Sequence, residues 1–338
     1  MQNTTGGFGG GHGQLSHLAP TYAAVLSLAS VGSSALDIVD RRALLKWLYS
    51  VKNPDGSFKV CVGGETDVRG TYCALTVISL LRLPTDRGLL ENTTAYLAAC
   101  QTYEGGFAAT PGMNEAHGGY MFCALAGLSI LHPPTALSGI IDMPSVTRWL
   151  SARQTAPEGG LNGRTNKLVD GCYSTWVGGC WAILEAAVGA ETPLWSREGL
   201  IRYILTATQN SYGGLRDKPG KGPDFYHSNY VLLGLSAATY HYYYDGGTED
   251  EVVETGADQG LPLLIPFRWK CEKKVPGVEQ LVEGFEGWPE MRWGDGGEIA
   301  VDEGGLEGDR VAAAHPVFNI RMEYVEEAKK WGEALVGV

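Results

Sequence analysis

A glycine turn with one apolar anchor recurs five times along the 338-residue chain. The copies read TTGGFGG, NPDGSFKV, YEGGFAA, PEGGLNG and SYGGLRD, and they align on Phe8, Phe58, Phe107, Leu161 and Leu215. A period of roughly 50 residues is typical of stacked supersecondary units. Because a glycine turn ends one helix and redirects the chain, the repeat predicts an array of helix pairs.

The stretches beside the turns differ in hydrophobic pattern. Amphipathic stretches such as DRRALLKWLYSVK precede the turns, whereas almost wholly apolar stretches such as GGYMFCALAGLSIL follow them. An amphipathic helix exposes one face, and a helix that is apolar all round is buried on all sides. Each repeat therefore supplies one outer and one inner helix. We expect a single all-α domain over residues 1–338, an α/α barrel (toroid) of helix-pair repeats with a central cavity.

Charge and cysteine content narrow the class of protein. The formal net charge of -12 argues against nucleic acid or an anionic membrane as the main partner. The seven cysteines are an odd number and lie mostly in apolar runs, which indicates a reducing compartment. The N-terminal stretch lacks the pattern of a signal peptide, and no apolar run approaches the roughly twenty residues that span a bilayer. We expect a cytoplasmic protein.

Polar residues recur at the start of the inner helices. The helices align on one aromatic residue each: Tyr22, Tyr72, Tyr120, Tyr173 and Tyr230. Three positions earlier stand Ala19, Arg69, His117, Asp170 and His227. Equivalent positions in a ring face the same place, so we expect these side chains to gather at one mouth of the cavity.

A metal site is predicted there. Asp170 and Cys172 stand two residues apart in KLVDGCYSTW, and His227 belongs to the next repeat. A carboxylate, a thiolate and an imidazole suit a zinc ion, and three protein ligands leave the open fourth position of a catalytic zinc site.

Beside this site, His117, Arg164, Lys167 and the Tyr173 hydroxyl form a candidate anion cradle for phosphate or carboxylate. The alternative is that the loop cations are solvated surface charge. Three further aromatic residues are either core or the walls of an apolar pocket, and periodicity leaves both open: Tyr72, Tyr120 and Trp176. A zinc site, an anion cradle and an apolar pocket together suggest an activated thiolate attacking an apolar diphosphate.

Five stretches resemble the β-subunits of protein farnesyltransferases: GGHGQLSHLAPTYAAV, ETDVRGTYCAL, EAHGGYMFCALAGL, GRTNKLVDGCYSTW and DKPGKGPDFYHSNYVLLGLS. The resemblance runs from about Gly6 to Tyr240, and AHPVFNIRMEYVEEAKKW resembles the family's closing segment. It implies a barrel paired with a helical-repeat α-subunit. The implied reaction is transfer of farnesyl from farnesyl diphosphate to the cysteine of a C-terminal CaaX motif.

The resemblance also implies residue roles. One zinc per β-subunit would be held by Asp170, Cys172 and His227, with the substrate cysteine as fourth ligand. The diphosphate would be bound by His117, Arg164, Lys167 and Tyr173. The lipid and peptide pocket would be lined by Arg69, Tyr72, Tyr120, Trp176 and Tyr226. Asp217 would hold magnesium at the diphosphate. The rival interpretations are a geranylgeranyl-transferring β-subunit, a non-catalytic barrel that acts as a binding protein, and a terpene cyclase, although no DxDD motif is present.

Three features depart from the family pattern. The glycine-turn repeats cover about residues 6–243, but the first lacks an outer helix, so we expect a barrel that is incomplete at its N-terminus. An acidic, loop-like insertion follows at about 244–310, within which LPLLIPFRWKC is apolar enough to pack, and a closing helix is expected at about 315–336. Four apolar residues of the first inner helix would lack cover: Leu18, Val25, Leu26 and Leu28. We therefore expect residues 1–338 alone to be poorly soluble or inactive.

Overall fold

The computed structural model describes residues 1–85, 87–246, 263–272 and 311–335. In chain order its helices are α1 (Leu18–Val31), α2 (Arg41–Val51), α3 (Val68–Leu80), α4 (Arg87–Leu90), α5 (Thr93–Ala99), α6 (Gly118–Leu131), α7 (Met143–Ser151), α8 (Tyr173–Trp176), α9 (Cys180–Val188), α10 (Arg197–Tyr203), α11 (Phe225–Thr239) and α12 (Met322–Leu335). Short 3-10 helices span Ser33–Ile38, Pro134–Gly139 and Ile265–Arg268, and a π-helical turn spans Ile204–Thr208.

The inner helices pack on one another in sequence order. Helix α1 contacts α3, α3 contacts α6, α6 contacts α8 and α9, and α8 contacts α11. Every residue of α6 from Met121 to Ile130 is buried, whereas α7 buries only one face. The predicted all-α toroid of outer and inner helices is therefore confirmed. No described helix is long and apolar enough to cross a bilayer.

One inner helix is interrupted. The sequence pattern predicts one helix over GCYSTWVGGCWAIL, but α8 ends at Trp176 and α9 begins at Cys180. The N–H of Gly178 donates to the carbonyl of Tyr173, five residues back, at 3.1 Å. A Cβ on Gly179 would lie 3.2 Å from the ring of Phe122. Gly178 and Gly179 thus permit a hydrogen bond that spans five residues of backbone, and they let α6 pack closely against this segment.

The first four glycine turns are each joined to the next outer helix. In the third repeat Gly105 has φ +100°, and a Cβ there would lie 2.3 Å from the carbonyl oxygen of Ser145 in the first turn of α7. Gln101 bonds both sides of this joint. Its Nε2 donates to the carbonyls of Gly105 (3.2 Å) and Asp142 (3.0 Å), and the N–H of Asp142 donates to its Oε1 (2.9 Å). Asp142 is the N-cap of α7, so one amide fixes where that helix begins.

The same joint recurs with a change of residue in the second repeat. Gln2 and Gln154 make the equivalent bonds to the N-caps of α2 and α10. Lys52 replaces the glutamine, and its Nζ donates to the Gly56 carbonyl and the Thr93 hydroxyl, both at 2.7 Å. Burial lowers the pKa of Lys52 to about 8. This joint therefore holds an amine where the others hold an uncharged amide.

The end of the chain crosses the barrel. Strand β1 (His241–Tyr244) pairs antiparallel with β2 (Trp269–Glu272), and the described part of LPLLIPFRWKC packs, with Leu263 and Phe267 buried. The rest of the predicted insertion lies outside the described residues. The closing helix begins at Met322 rather than near residue 315, because Ala314 and Arg321 pair across a turn.

The first inner helix is covered, contrary to the prediction. Helix α12 packs against α1, α3 and the Ser33–Ile38 helix, and the indole N–H of Trp331 donates to Asp37 at 2.7 Å. Leu18 and Val25 have no exposed surface, and the other two predicted residues are partly buried: Leu26 and Leu28. The expectation that they lack cover is wrong: all four are buried or partly buried, and a helix from the far end of the chain packs on α1. The argument from an exposed patch for poor solubility therefore loses its basis.

Replacing Gly105 tests the joint between repeats. Gly105→Ala should lower the free energy of unfolding by about 2 kcal/mol or more, because alanine is strained at this φ and its methyl group meets the Ser145 carbonyl. Gly139→Ala is the matched control, since no atom lies within 4 Å of a Cβ there. Urea unfolding followed by circular dichroism measures both. Equal stabilities for the two variants would contradict the joint.

The joint at Lys52 predicts a pH dependence. Since the pKa is lowered by burial, the unfolded chain binds this proton more tightly, and wild-type stability gains from rising pH between about 8 and 10.5. Lys52→Gln removes that charge, so the variant should be more stable near pH 7.5, and its advantage should shrink by about 1–2 kcal/mol by pH 10. Urea unfolding of both proteins at the two pH values measures this. An advantage that is constant with pH would show that the amine is not desolvated.

Candidate metal centre

A carboxylate, a thiol and an imidazole meet where α8 and α11 begin. The ligand atoms of Asp170, Cys172 and His227 all lie within 4.8 Å of one another. The Nε2 of His227 is 3.3 Å from Oδ1 of Asp170. Cys172 is buried, and the other two side chains are partly exposed. The structure thus brings together the three residues that the sequence selected from two repeats.

Backbone contacts between the fourth and fifth repeats hold this geometry. Oδ1 of Asp170 accepts the N–H of Cys172 at 2.8 Å, which turns the carboxylate toward the thiol. The N–H of Gly171 donates to the carbonyl of Asp217 at 2.7 Å, and the Tyr203 hydroxyl donates to the same oxygen at 3.0 Å. The loop before α8 is therefore fixed to the loop before α11, which carries the histidine.

Asp224 orients the histidine and was missed by the sequence analysis. It is the N-cap of α11: its Oδ1 accepts the N–H of His227 at 2.7 Å, and its Oδ2 lies 2.6 Å from Nδ1 of the same residue. An Nδ1–H donated to this carboxylate leaves the lone pair of Nε2 directed at the other two ligands. The sequence did contain a signal for this role, because Asp224 stands three residues before His227 at the predicted start of a helix.

The donor set fits zinc. Sulfur, imidazole nitrogen and carboxylate oxygen are the three ligand types that zinc takes in proteins, and three of them leave a fourth position for a substrate atom. Burial, and then the charge of Asp170, raise the pKa of the Cys172 thiol. A thiolate there needs a cation beside it, so zinc binding should release a proton and strengthen as pH rises.

His117 and Tyr173 of the anion cradle are in contact. Nδ1 of His117 accepts the N–H of Gly119 at 3.0 Å, which places the ring proton on Nε2, 3.0 Å from the Tyr173 hydroxyl. Burial, followed by the charge of Arg164, lowers the pKa of His117. Burial and the neighbouring Cys172 raise the pKa of Tyr173 to about 12. The neutral imidazole therefore donates its one N–H to the Tyr173 oxygen, which leaves the phenolic O–H available as a donor to an anion.

The loop cations are less buried. Arg164 pairs with Glu115 at 2.7 Å, an acidic partner that the sequence analysis missed although it lies in EAHGG, and Lys167 is exposed. The Asp217 carboxylate is paired with Lys218 and belongs to no described group of three metal-binding side chains. Its assignment to magnesium stays a prediction.

Aromatic side chains form a continuous chain of ring contacts across the inner helices, which we call the aromatic belt. Its neighbours have centroids 4.2–5.8 Å apart, in the order Tyr22, Tyr72, Phe122, Trp176, Tyr230 and Tyr226. Phe122 was missed by the sequence analysis. Trp176 also donates its indole N–H to the Tyr226 hydroxyl at 2.9 Å.

The belt corrects the alignment of the inner helices. Tyr120 and Tyr173 do not follow Tyr22 and Tyr72 but flank His117, with centroids 5.4 and 5.6 Å from its ring. Equivalent positions in these helices are counted from the N-cap, and an alignment on the nearest tyrosine places some helices out of step. The N-caps of α1, α3, α6 and α11 are His17, Asp67, His117 and Asp224. His227 is therefore a first-turn residue, not the equivalent of His117.

Two predicted pocket residues are already engaged. Tyr72 is 2% exposed and donates its hydroxyl to the carbonyl of Val317 at 2.6 Å, in the segment that crosses the barrel. Arg69 pairs with Asp67, and its guanidinium lies 5.6 Å from the ring centroid of Tyr120. Tyr72 thus lies at the base of the belt, whereas Arg69 lies at the helix starts with the anion cradle.

A ring of helix pairs with an Asp–Cys–His group at the helix starts defines an α/α toroid with a candidate metal centre. The family model of the prenyltransferase alpha-alpha toroid domain matches residues 1–320. The chain belongs to this family, as its sequence motifs predicted.

Named relatives lie within the same family. The protein farnesyltransferase subunit beta of Pyricularia oryzae is 51% identical over 97% of this chain, and that of Schizosaccharomyces pombe is 45% identical over 72%. The chain spans 62% and 64% of their respective lengths. The geranylgeranyl transferase type-1 subunit beta of Arabidopsis thaliana is 37% identical over 74% of the chain. A solved structure of Candida albicans protein geranylgeranyltransferase-I complexed with GGPP matches with a TM-score of 0.58 and 28% identity, covering 66% of this chain and 67% of that one.

Asp224 offers a test of the metal centre that leaves its helix intact. Asn also caps helices, so Asp224→Asn should keep α11 folded but remove the charge that orients His227. Zinc affinity should fall roughly ten- to a hundredfold. Competition with a chromophoric chelator measures it, and Asp142→Asn, at the exposed N-cap of α7, is the control. Unchanged affinity in Asp224→Asn would show that the carboxylate does not orient the imidazole.

Proposed function

We propose that the chain is the catalytic β-subunit of a protein farnesyltransferase. Paired with an α-subunit, it transfers farnesyl from farnesyl diphosphate to the cysteine of a C-terminal CaaX motif. The observation that carries the proposal is the direct adjacency of two sites: Cys172 belongs to the metal centre, and the next residue, Tyr173, contacts His117 in the anion cradle. The relatives named as farnesyltransferase β-subunits support the same reading.

The three ligands define where the nucleophile sits. Asp170, Cys172 and His227 would hold zinc, which when bound would lower the pKa of the substrate cysteine and supply it as a thiolate at neutral pH. Asp224 keeps the imidazole of His227 directed toward the other two ligands.

The anion cradle stabilises the leaving group. As the sulfur–carbon bond forms at C1 of the farnesyl chain, the carbon–oxygen bond breaks and diphosphate leaves with the electron pair. The Tyr173 hydroxyl, held by the ring N–H of His117, donates to the leaving group, and the guanidinium of Arg164 supplies positive charge where negative charge grows. Lys167, on the same loop as Arg164, adds an exposed cation to the rim. Arg164 reaches the diphosphate by sharing or releasing Glu115.

The aromatic belt supplies the surface for the lipid. Trp176 and Tyr226 lie at its open end near the metal centre, so one face can support the isoprenoid and the other the CaaX peptide. Tyr120 and Arg69 complete this rim beside His117. Asp217 holds magnesium at the diphosphate in this proposal, which requires that Lys218 release the carboxylate.

Geranylgeranyl transfer is the second candidate. It is favoured by one observation, the structural match to an enzyme complexed with GGPP. The metal centre and the anion cradle serve either lipid, because both lipids carry the same diphosphate. Competition between the two lipids for the purified heterodimer therefore decides between them. We expect farnesyl diphosphate to be preferred.

Transfer to a fluorescent CaaX peptide tests the proposal on the full chain purified with a prenyltransferase α-subunit. Cys172→Ala should lose zinc and transfer together. Tyr173→Phe should keep zinc but slow transfer roughly ten- to a hundredfold, because one donor to the leaving group is gone. Cys61→Ala, at a partly exposed thiol outside the site, is the control. Absence of prenyl transfer from either lipid in a zinc-loaded, folded heterodimer would reject the proposal.

A further inference from the structure

Glu104 stands at the tip of the third glycine turn and reaches away from its own repeat. Its Oε1 accepts the backbone N–H of Ala116 at 3.4 Å. Its Oε2 accepts the indole N–H of Trp149 and the hydroxyl of Thr165, both at 3.3 Å. One carboxylate thus contacts two separate loops and the helix α7 between them.

The two loops carry the two halves of the anion cradle. Ala116 lies between Glu115 and His117, and Thr165 follows Arg164 directly. At their base the two loops are joined by a backbone bond from the N–H of Gly118 to the carbonyl of Gly163 at 2.8 Å. Beyond that bond they are joined by the Arg164–Glu115 pair, whose side chains are 37% and 60% exposed, and an exposed ion pair contributes little positional constraint. Glu104 adds a second side-chain tie there, through a part-buried bond to Ala116 and a solvent-exposed bond to Thr165.

Buried neighbours hold the Thr165 end of this contact. Nη2 of Arg153 donates to the Thr165 hydroxyl at 3.2 Å, which leaves the hydroxyl proton directed at Glu104. The Arg153 guanidinium lies 4.7 Å over the ring of Trp149, and both residues are at most 5% exposed. Arg153, Thr165 and Glu104 form one connected chain of hydrogen bonds that begins in the core and ends at the cradle.

Acidic residues at the same turn position elsewhere do not do this. Asp55, in the second repeat, bonds back to Ser57 of its own turn. Glu158, in the fourth repeat, is exposed and has no described hydrogen bond through its carboxylate. Of these three acidic residues, Glu104 is therefore the one that contacts both loops of the cradle.

We infer that Glu104, acting through Thr165 and the backbone of Ala116, is a positioning residue that braces the two loops that bind the diphosphate, beyond the backbone bond that joins Gly118 to Gly163. The inference rests on the proposed function for the identity of the anion. The inference also predicts a direction for the change in anion affinity that is opposite to the one that charge alone would give. A carboxylate near an anion site repels the anion, so neutralising Glu104 would strengthen binding if only its field mattered. Positioning predicts the opposite.

Binding of inorganic pyrophosphate and of farnesyl diphosphate to the full chain with its α-subunit, measured by titration calorimetry, tests the inference. Glu104→Gln keeps the size of the side chain but loses one acceptor, and it should weaken both ligands roughly tenfold. Thr165→Val should weaken them similarly, and Thr165→Ser, which keeps the hydroxyl, should bind like wild type. Glu158→Gln is the control. Zinc affinity should be unchanged in all four variants.

A double-mutant cycle identifies the route of the effect. If Glu104 acts through the Arg164 loop, Glu104→Gln should add little once Arg164→Gln is present. Wild-type affinity or tighter binding in folded Glu104→Gln, or full additivity with Arg164→Gln, would overturn the inference. Failure of the wild-type protein to bind either ligand would instead reject the proposed function on which it rests.

Discussion

The joint between a glycine turn and the next outer helix governs this structure. At Gly105 the backbone approaches Ser145 so closely that no side chain fits, and Gln101 bonds both the turn and the N-cap of α7. Helix pairs of this length are not stable separately, and their burial depends on being set against the neighbouring pair. A contact that fixes the start of each outer helix therefore also fixes the angle at which successive inner helices meet.

The metal centre is a consequence of that stacking. Asp170 and Cys172 come from one repeat and His227 from the next, so their approach depends on how α8 and α11 are set against each other. The Asp217 carbonyl accepts hydrogen bonds from Gly171 and Tyr203 and so holds the fourth repeat against the fifth. Chemistry is thus located where two repeats meet rather than within either one. The same holds for the anion cradle, whose residues are drawn from the third and fourth repeats.

Prediction from the sequence succeeded where the evidence was local and failed where packing decided. Asp170, Cys172 and His227, which the structure brings together, were selected because unusual residue types stood at helix starts. The alignment on tyrosines was wrong in the third and fourth repeats, since Phe122 and Trp176, not Tyr120 and Tyr173, occupy the belt. Aromatic residues two or three positions apart look equivalent in a sequence. On a helix, at about 100° per residue, they point roughly 160° and 60° apart.

The sequence by itself determined the repeat, the alternation of amphipathic and apolar helices, and the donor types of the metal site, because periodicity and residue chemistry are local properties. Tertiary structure alone decided which residues share a face and what covers them. Helix α12 packs on α1 from the far end of the chain, Glu115 reaches Arg164 across a gap of 49 residues, and Glu104 reaches Thr165 across 61. Such contacts follow from the packing of one repeat on the next and of the closing helix on the first, which no short stretch of sequence specifies.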